Sequence, residues 1–222
     1  MTGGNMAERI SPKQFHAAGG VDDWRVLFDG ARTYFVTDSF AKGVELVDAI
    51  SRLADAANHH PDVDLRYSGV TVTLFTHEVS DISGNDAMLA RQISEAAAEL
   101  GIRADPSRVQ TLQISIDALV IADVLPFWRA VLGYDEFGDE DVVDPLARGP
   151  WVTFQQMDEP RPQRNRIHID VSLPRDQAES RIAAALAAGG HLVTDRFAPH
   201  WWTLADAEGN EVDIAPWRED SD

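Results

Sequence analysis

The chain has 222 residues, 44% hydrophobic and 25% charged, values typical of a globular protein with one large or two ordinary domains. Its formal net charge of −18 argues against binding to nucleic-acid phosphates or anionic lipid headgroups. It contains no cysteine, which excludes disulfides, thiolate metal sites and a cysteine nucleophile. Residues 1–10 lack the apolar run of a signal peptide, and no stretch approaches the ~20 apolar residues that span a bilayer. We therefore expect a cytoplasmic protein with neither nucleic-acid nor membrane partners.

The first elements in chain order are a short helix, a β-hairpin and a long helix. The short helix near Ser11–Ala18 ends at Gly19-Gly20, and the hairpin is indicated by Asp29-Gly30 between two β-like runs. After a capping candidate at Asp38 or Ser39, apolar residues recur at three- and four-residue steps, which predicts an amphipathic helix that ends before Pro61. Its predicted buried stripe is Phe40, Val44, Val47, Ile50, Leu53 and Ala57.

A second hairpin and a closing helix follow. Strict alternation on either side of Ser68-Gly69 predicts a two-residue turn that pairs Tyr67 with Val70. A helix over Gly84–Leu100 is predicted next, ended by Gly101. The expected result is a four-stranded antiparallel sheet with helices on one face.

The predicted register of the second hairpin brings two distant histidines together. If the pairing continues past Pro61, His60 and His77 lie opposite one another on the polar face, about 5 Å apart at Cβ. Two such imidazoles can act as an acid/base pair, because one accepts a proton while the other donates. The alternative is that His-His-Pro is only a polar helix end and that His77 is only a solvated strand terminus.

Several motifs of this half resemble one known family. The run Asn58-His59-His60-Pro61, followed by Tyr67, Val70, Leu74, Thr76-His77-Glu78 and Asp86, resembles the signature of pterin-4a-carbinolamine dehydratases over about residues 8–100. The resemblance implies a hydro-lyase that converts a 4a-hydroxytetrahydropterin to the quinonoid dihydropterin, without metal or organic cofactor, in a homo-oligomer. It implies that His59, His60, His77 and Asp86 are the catalytic residues. The His60/His77 pair suits the proton transfers, and His59 would bind or orient the substrate.

Asp86 also has a purely structural interpretation. It lies three residues after Ser83, a candidate N-cap, where a carboxylate stabilises a helix whatever the protein does. Both interpretations stay open at this stage.

The segment 101–110 separates two predicted domains, 8–102 and 110–218. The order strand, helix, strands occurs twice after it, which predicts paired βαβββ modules. The run from Phe127 to Tyr134 and the run from Asp206 to Glu211 resemble glyoxalase-like domains of the vicinal oxygen chelate superfamily. The fold class is therefore α+β: a pterin dehydratase-like domain followed by a glyoxalase-like one.

A metal site in the second domain is the weaker expectation. Where active members of that superfamily hold divalent metals, this chain offers Gln113, His168 and Asp213, with Ser115 as the alternative to Gln113. One histidine, one amide and one carboxylate form a poor ligand set for zinc. Three functions compete: a dehydratase with a glyoxalase-like domain of unknown ligand, a binding or regulatory protein with two non-catalytic scaffolds, and a metal-dependent lyase or dioxygenase in the second half.

Overall fold

The structure is a computed structural model, and it describes residues 8–27, 29–160, 169–171 and 175–215. The chain divides into two compact units, Met1–Thr111 and Leu112–Asp222. Among the described residues, no helix has the length and apolar character needed to cross a membrane.

The first unit is an antiparallel sheet with helices. Four strands run in the order β1-β2-β4-β3, and a two-residue fifth strand pairs with β2. The strands are β1 (Arg25–Leu27), β2 (Gly30–Val36), β3 (Asp62–Arg66), β4 (Gly69–Leu74) and β5 (Arg103–Ala104), and the helices are α1 (Pro12–Ala17), α2 (Phe40–Ala57) and α3 (Gly84–Glu99). The four-stranded prediction is confirmed, whereas β5 was not predicted, because two residues are too few to show alternation.

Helix α2 has the predicted extent but a different buried face. Ser39 caps it by accepting a hydrogen bond from Lys42 N at 3.2 Å. Phe40 and Val44 are about half exposed, at 50% and 47%, so the stripe predicted from large apolar residues is wrong at these two positions. The buried positions are Gly43, Leu46, Ile50 and Ala54. Gly43 belongs to this face because a Cβ there would collide with the Leu65 side chain.

The register of the second hairpin differs from the prediction by two residues. Arg66 pairs with Gly69 and Leu65 with Val70, so Tyr67-Ser68 is the turn and the predicted pairing of Tyr67 with Val70 is wrong. Gly69 lies in β4, where the Tyr34 ring occupies the space of a Cβ, so the glycine serves close packing and not the turn. A shift of two residues keeps every side chain on its predicted face. It does, however, remove the geometric basis for placing His60 opposite His77.

The second unit contains two modules of the same topology. In the first, β6 (Gln113–Ala118) is followed by α4 (Ile121–Leu132), β7 (Asp135–Phe137), β8 (Asp141–Val143) and β9 (Trp151–Gln156). In the second, β10 (Asp170–Val171) is followed by α5 (Arg175–Ala187), β11 (His191–Thr194), β12 (Trp202–Ala205) and β13 (Glu211–Ile214).

Each module folds into one four-stranded sheet whose first and last strands are parallel. The orders are β6-β9-β8-β7 and β10-β13-β12-β11. The paired βαβββ architecture is thus confirmed. The modules share one core, with members of both including Phe127, Trp128, Phe154, Leu204 and Ile214.

Candidate active site

Asp86 is fixed at the first turn of α3, where it forms a capping box with Ser83. Its Oδ2 accepts a hydrogen bond from the Ser83 backbone N–H at 2.6 Å and another from Thr76 Oγ1 at 2.6 Å. The side chain is fully buried. Two protein donors therefore hold Oδ2 of this carboxylate, and its second oxygen, Oδ1, is left to bond another group.

His59 is the partner of that second oxygen. Helix α2 ends at Asn58, which adopts a left-handed conformation with φ of 47°, and the His59 backbone N–H then donates to Ala54 O at 3.1 Å. This helix end directs the imidazole inward, with its side chain only 11% exposed and Nε2 2.8 Å from Asp86 Oδ1. Because the carboxylate only accepts, Nε2 carries the proton and donates it to this bond. Within the described residues, Nδ1 has no hydrogen-bond partner.

The other two histidines lie at the surface. His60 is 61% exposed, and its Nε2 lies 3.1 Å from Asp55 Oδ1. His77 is exposed in a 3₁₀ turn, His77–Val79, where its ring meets Phe75 edge-on at 5.4 Å. No hydrogen bond or ring contact joins His60 to His77 in the described part of the chain. The structure thus brings His59 to Asp86, and the contact predicted between His60 and His77 is not seen.

Two residues of this site, Thr76 and Ser83, were not among the predicted site residues. Both side chains are buried polar groups against Asp86. A signal was present for Ser83, whose spacing from Asp86 predicts a capping box. Thr76 stands in the run Thr76-His77-Glu78 that resembles the family signature, but its bond to Asp86 could not be predicted because it depends on the turn between β4 and α3.

The predicted metal site lies only partly in the described residues, since His168 is outside them. Gln113 is exposed on β6, and Asp213 Oδ1 accepts a hydrogen bond from Thr203 at 2.5 Å. Across the described residues, no three His, Asp or Glu side chains cluster closely enough to hold a metal ion.

Comparison with known proteins assigns each half of the chain to a family. A Nocardia farcinica protein with the provisional name pterin-4-alpha-carbinolamine dehydratase is 38% identical over 91 residues, which cover 40% of this chain and 96% of that protein. The chain belongs to the pterin-4a-carbinolamine dehydratase family. The family's sequence profile matches residues 8–96, and the profile of a glyoxalase-like domain matches residues 113–215. The pterin dehydratase family thus accounts for the first half, and the second half is a glyoxalase-like domain.

Two solved structures match one half each. A transcriptional coactivator/pterin dehydratase from Brucella melitensis is 22% identical, with a TM-score of 0.38, and the match covers 40% of this chain and 99% of that one. A glyoxalase/bleomycin resistance protein/dioxygenase family enzyme from Burkholderia phytofirmans is 16% identical, with a TM-score of 0.38, covering 47% of this chain and 95% of that one.

Proposed function

We propose that the chain dehydrates a 4a-hydroxytetrahydropterin to the quinonoid dihydropterin, and that His59 carries the proton in this reaction. The observation that supports it most is the bond between the buried Asp86 and His59 Nε2 at 2.8 Å. It leaves Nδ1 as the ring atom available to a substrate. An imidazole is suited to this task because it both accepts and donates a proton near neutral pH.

The proposed reaction breaks the C4a–O bond and releases water. A proton must reach the departing hydroxyl oxygen, and one must leave a pterin ring nitrogen, so the net change is loss of H₂O. Protonated His59 would supply the first proton from Nδ1 and regain one from the pterin. Asp86 acts as a positioning residue, since its side chain is fully buried and its two oxygens are held by His59, Thr76 and Ser83.

His60 and His77 remain candidates for binding the pterin or for the second proton transfer. Both are exposed. His60 directly follows His59 in the chain, and His77 directly follows Thr76. The observed register of the second hairpin does not support the predicted acid/base pair of His60 and His77. We therefore assign the first role to His59.

The test compares three single variants, His59→Gln, His60→Gln and His77→Gln, for dehydration of a 4a-hydroxytetrahydropterin above the spontaneous rate. A glutamine at position 59 can still donate to Asp86 but cannot carry a proton, so kcat should fall about 10²–10⁴-fold. His191→Gln, at an exposed histidine of the second unit, is the matched control and should retain the full rate.

Two results would overturn the proposal. If wild type shows no dehydration above the spontaneous rate, the binding or regulatory function takes its place. If His59→Gln retains the full rate while His60→Gln or His77→Gln loses it, the proton carrier is one of the exposed histidines.

A homo-oligomer is the proposed state of the chain. Phe40 and Val44, one turn apart on α2, form an exposed apolar face that a second copy could cover. The cytoplasmic location and the metal site at Gln113, His168 and Asp213 stay predictions.

A further inference from the structure

Two buried hydroxyl groups lie behind Asp86, at the oxygen that does not face His59. Thr76 is 1% exposed and Ser83 is 0% exposed. Thr76 Oγ1 lies 2.6 Å from Asp86 Oδ2 and 2.7 Å from Ser83 Oγ, and the Asn85 backbone N–H donates to Ser83 Oγ at 3.2 Å. The capping box alone explains Ser83 and Asp86, but it does not require Thr76.

The Asp86 carboxylate at the end of this series of hydrogen bonds determines the direction of each of them. The Asp86 carboxylate only accepts, so the single Thr76 hydroxyl proton is committed to it. Thr76 Oγ1 must then accept the Ser83 hydroxyl proton, and Ser83 Oγ accepts from Asn85 N–H. The donors therefore run in one direction, from the first turn of α3 through two hydroxyls to Asp86.

The Thr76 side chain cannot easily leave this arrangement. Its backbone N–H donates to Asp81 O at 2.9 Å, and its carbonyl accepts from Asp81 N–H at 3.4 Å, so a small bridge closes the turn on both sides. The position of the hydroxyl is thus set by the turn between β4 and α3.

We propose that Thr76 is a positioning residue that acts on His59 through Asp86. Together with the Ser83 backbone N–H, the Thr76 hydroxyl holds Asp86 Oδ2 and fixes the orientation of the carboxylate, so Oδ1 stays directed at His59 Nε2 and the ring keeps its proton there. Nδ1 is then held free for the substrate. The catalytic part of this inference rests on the proposed function, whereas the effect on the His59 ring does not.

The test uses the full chain with Thr76→Val, which removes the hydroxyl and keeps the shape, and Thr76→Ser, which keeps the hydroxyl. Thr33→Val is the matched control, because Thr33 lies on β2 of the same unit, is 0% exposed and donates its hydroxyl proton to Asp23 O at 2.7 Å. We expect kcat of Thr76→Val to fall about 10- to 100-fold with KM unchanged, the range found for residues that orient the metal-bound imidazoles of other enzymes. Thr76→Ser should restore most of kcat, and Thr33→Val should match wild type.

A second readout follows the His59 ring itself by ¹⁵N NMR of the labelled chain without substrate. Wild type and Thr76→Ser should show the tautomer with the proton on Nε2, and Thr76→Val should show a mixture of both tautomers. If the His59 tautomer in Thr76→Val is the same as in wild type, the inference is wrong. It is also wrong if Thr33→Val loses as much kcat as Thr76→Val. If wild type does not dehydrate the pterin, the proposed function fails, and the NMR comparison still decides the role of Thr76.

Discussion

Asp86 serves two purposes with its two carboxylate oxygens. Oδ2 closes the capping box at the start of α3, and Oδ1 holds His59. The structural and functional interpretations that the sequence left as alternatives are therefore both compatible with this residue. Sequence could single out His59 and Asp86 separately, but their pairing depends on the end of α2 meeting the start of α3, which no local pattern encodes.

Another residue-scale effect concerns Asp144, which organises the loop between β8 and β9. Burial acts to raise the pKa of its carboxyl, but hydrogen bonds from the backbone N–H groups of Leu146, Gly149 and Arg148 outweigh it, so the pKa lies below its ordinary value. A carboxyl whose pKa is depressed by folding stabilises the folded state at pH values above its unfolded pKa. That contribution is lost as pH falls through the folded pKa.

We predict that Asp144→Asn lowers the free energy of unfolding of the second unit at pH 7. The difference from wild type should shrink as pH falls below about 4, because the wild-type carboxyl then becomes protonated and is neutral like the asparagine. Thermal unfolding at pH 7 and at pH 3 measures both values. Asp139→Asn, at an exposed position of the same unit, should match wild type at either pH. A deficit in Asp144→Asn of equal size at both pH values would contradict the electrostatic explanation.

At the scale of elements, long periodic segments were predicted well, whereas some of the short strands were missed. Helices α2 and α3 begin at the predicted residues, because their caps and apolar spacing are local signals. Strands β5, β7 and β11 have two to four residues each, too few for alternation to be recognised. The hairpin register failed because Gly69 was interpreted as a turn residue, whereas packing against Tyr34 determines its place.

Helix α4 is stabilised at both ends by side chains of the other module. Its N-cap residue, Val120, provides no side-chain cap. Instead, Glu208 accepts hydrogen bonds from the backbone N–H groups of Leu119 and Val120, both at 2.7 Å, and Arg181 donates to Val131 O at 2.6 Å. An anion at the N-terminus and a cation at the C-terminus both suit the helix dipole.

Glu208→Ala should therefore destabilise the second unit by about 0.5–2 kcal/mol, the usual cost of losing an N-terminal cap. Urea unfolding followed by tryptophan fluorescence measures it, since Trp128 lies buried on α4. Glu140→Ala is the control, because that exposed glutamate has no side-chain bond among the described residues. Equal stability of the two variants would show that water replaces Glu208 at no cost.

At the scale of the whole chain, each unit has its own core. The first core contains Trp24, Phe35 and Leu89, and the second contains Trp128 and Phe154. The sequence placed the boundary in the segment 101–110 from its glycine, proline and charges. In the structure that segment takes part in the first unit, since β5 pairs with β2 and Asp105 N–H donates to Tyr34 O at 2.7 Å. Such contacts join residues far apart in sequence and could not be inferred from composition.

The residues just before the division at 111 are also tied to the first unit. Arg32 Nη1 donates to Gln110 O at 3.2 Å, and Thr111 Oγ1 donates to Asp29 at 2.8 Å. We therefore predict that a fragment of residues 1–111 folds and retains the dehydration rate of the full chain, since it contains His59, His77, Thr76 and Asp86.

A fragment of residues 1–102 provides the sharper comparison, because it keeps the proposed site and loses β5 together with the bonds of residues 105, 110 and 111. It should unfold with a free energy at least about 3 kcal/mol lower than that of the 1–111 fragment, because the bonds of residues 105, 110 and 111 contribute about 1 kcal/mol each and those of β5 with β2 are lost in addition. Urea unfolding of both fragments, with the dehydration rate measured alongside, gives the two quantities. If the two fragments were equally stable, residues 103–111 would be a linker as their composition indicates. If the 1–111 fragment failed to fold, the first unit would depend on the second, and the two-domain organisation would be wrong.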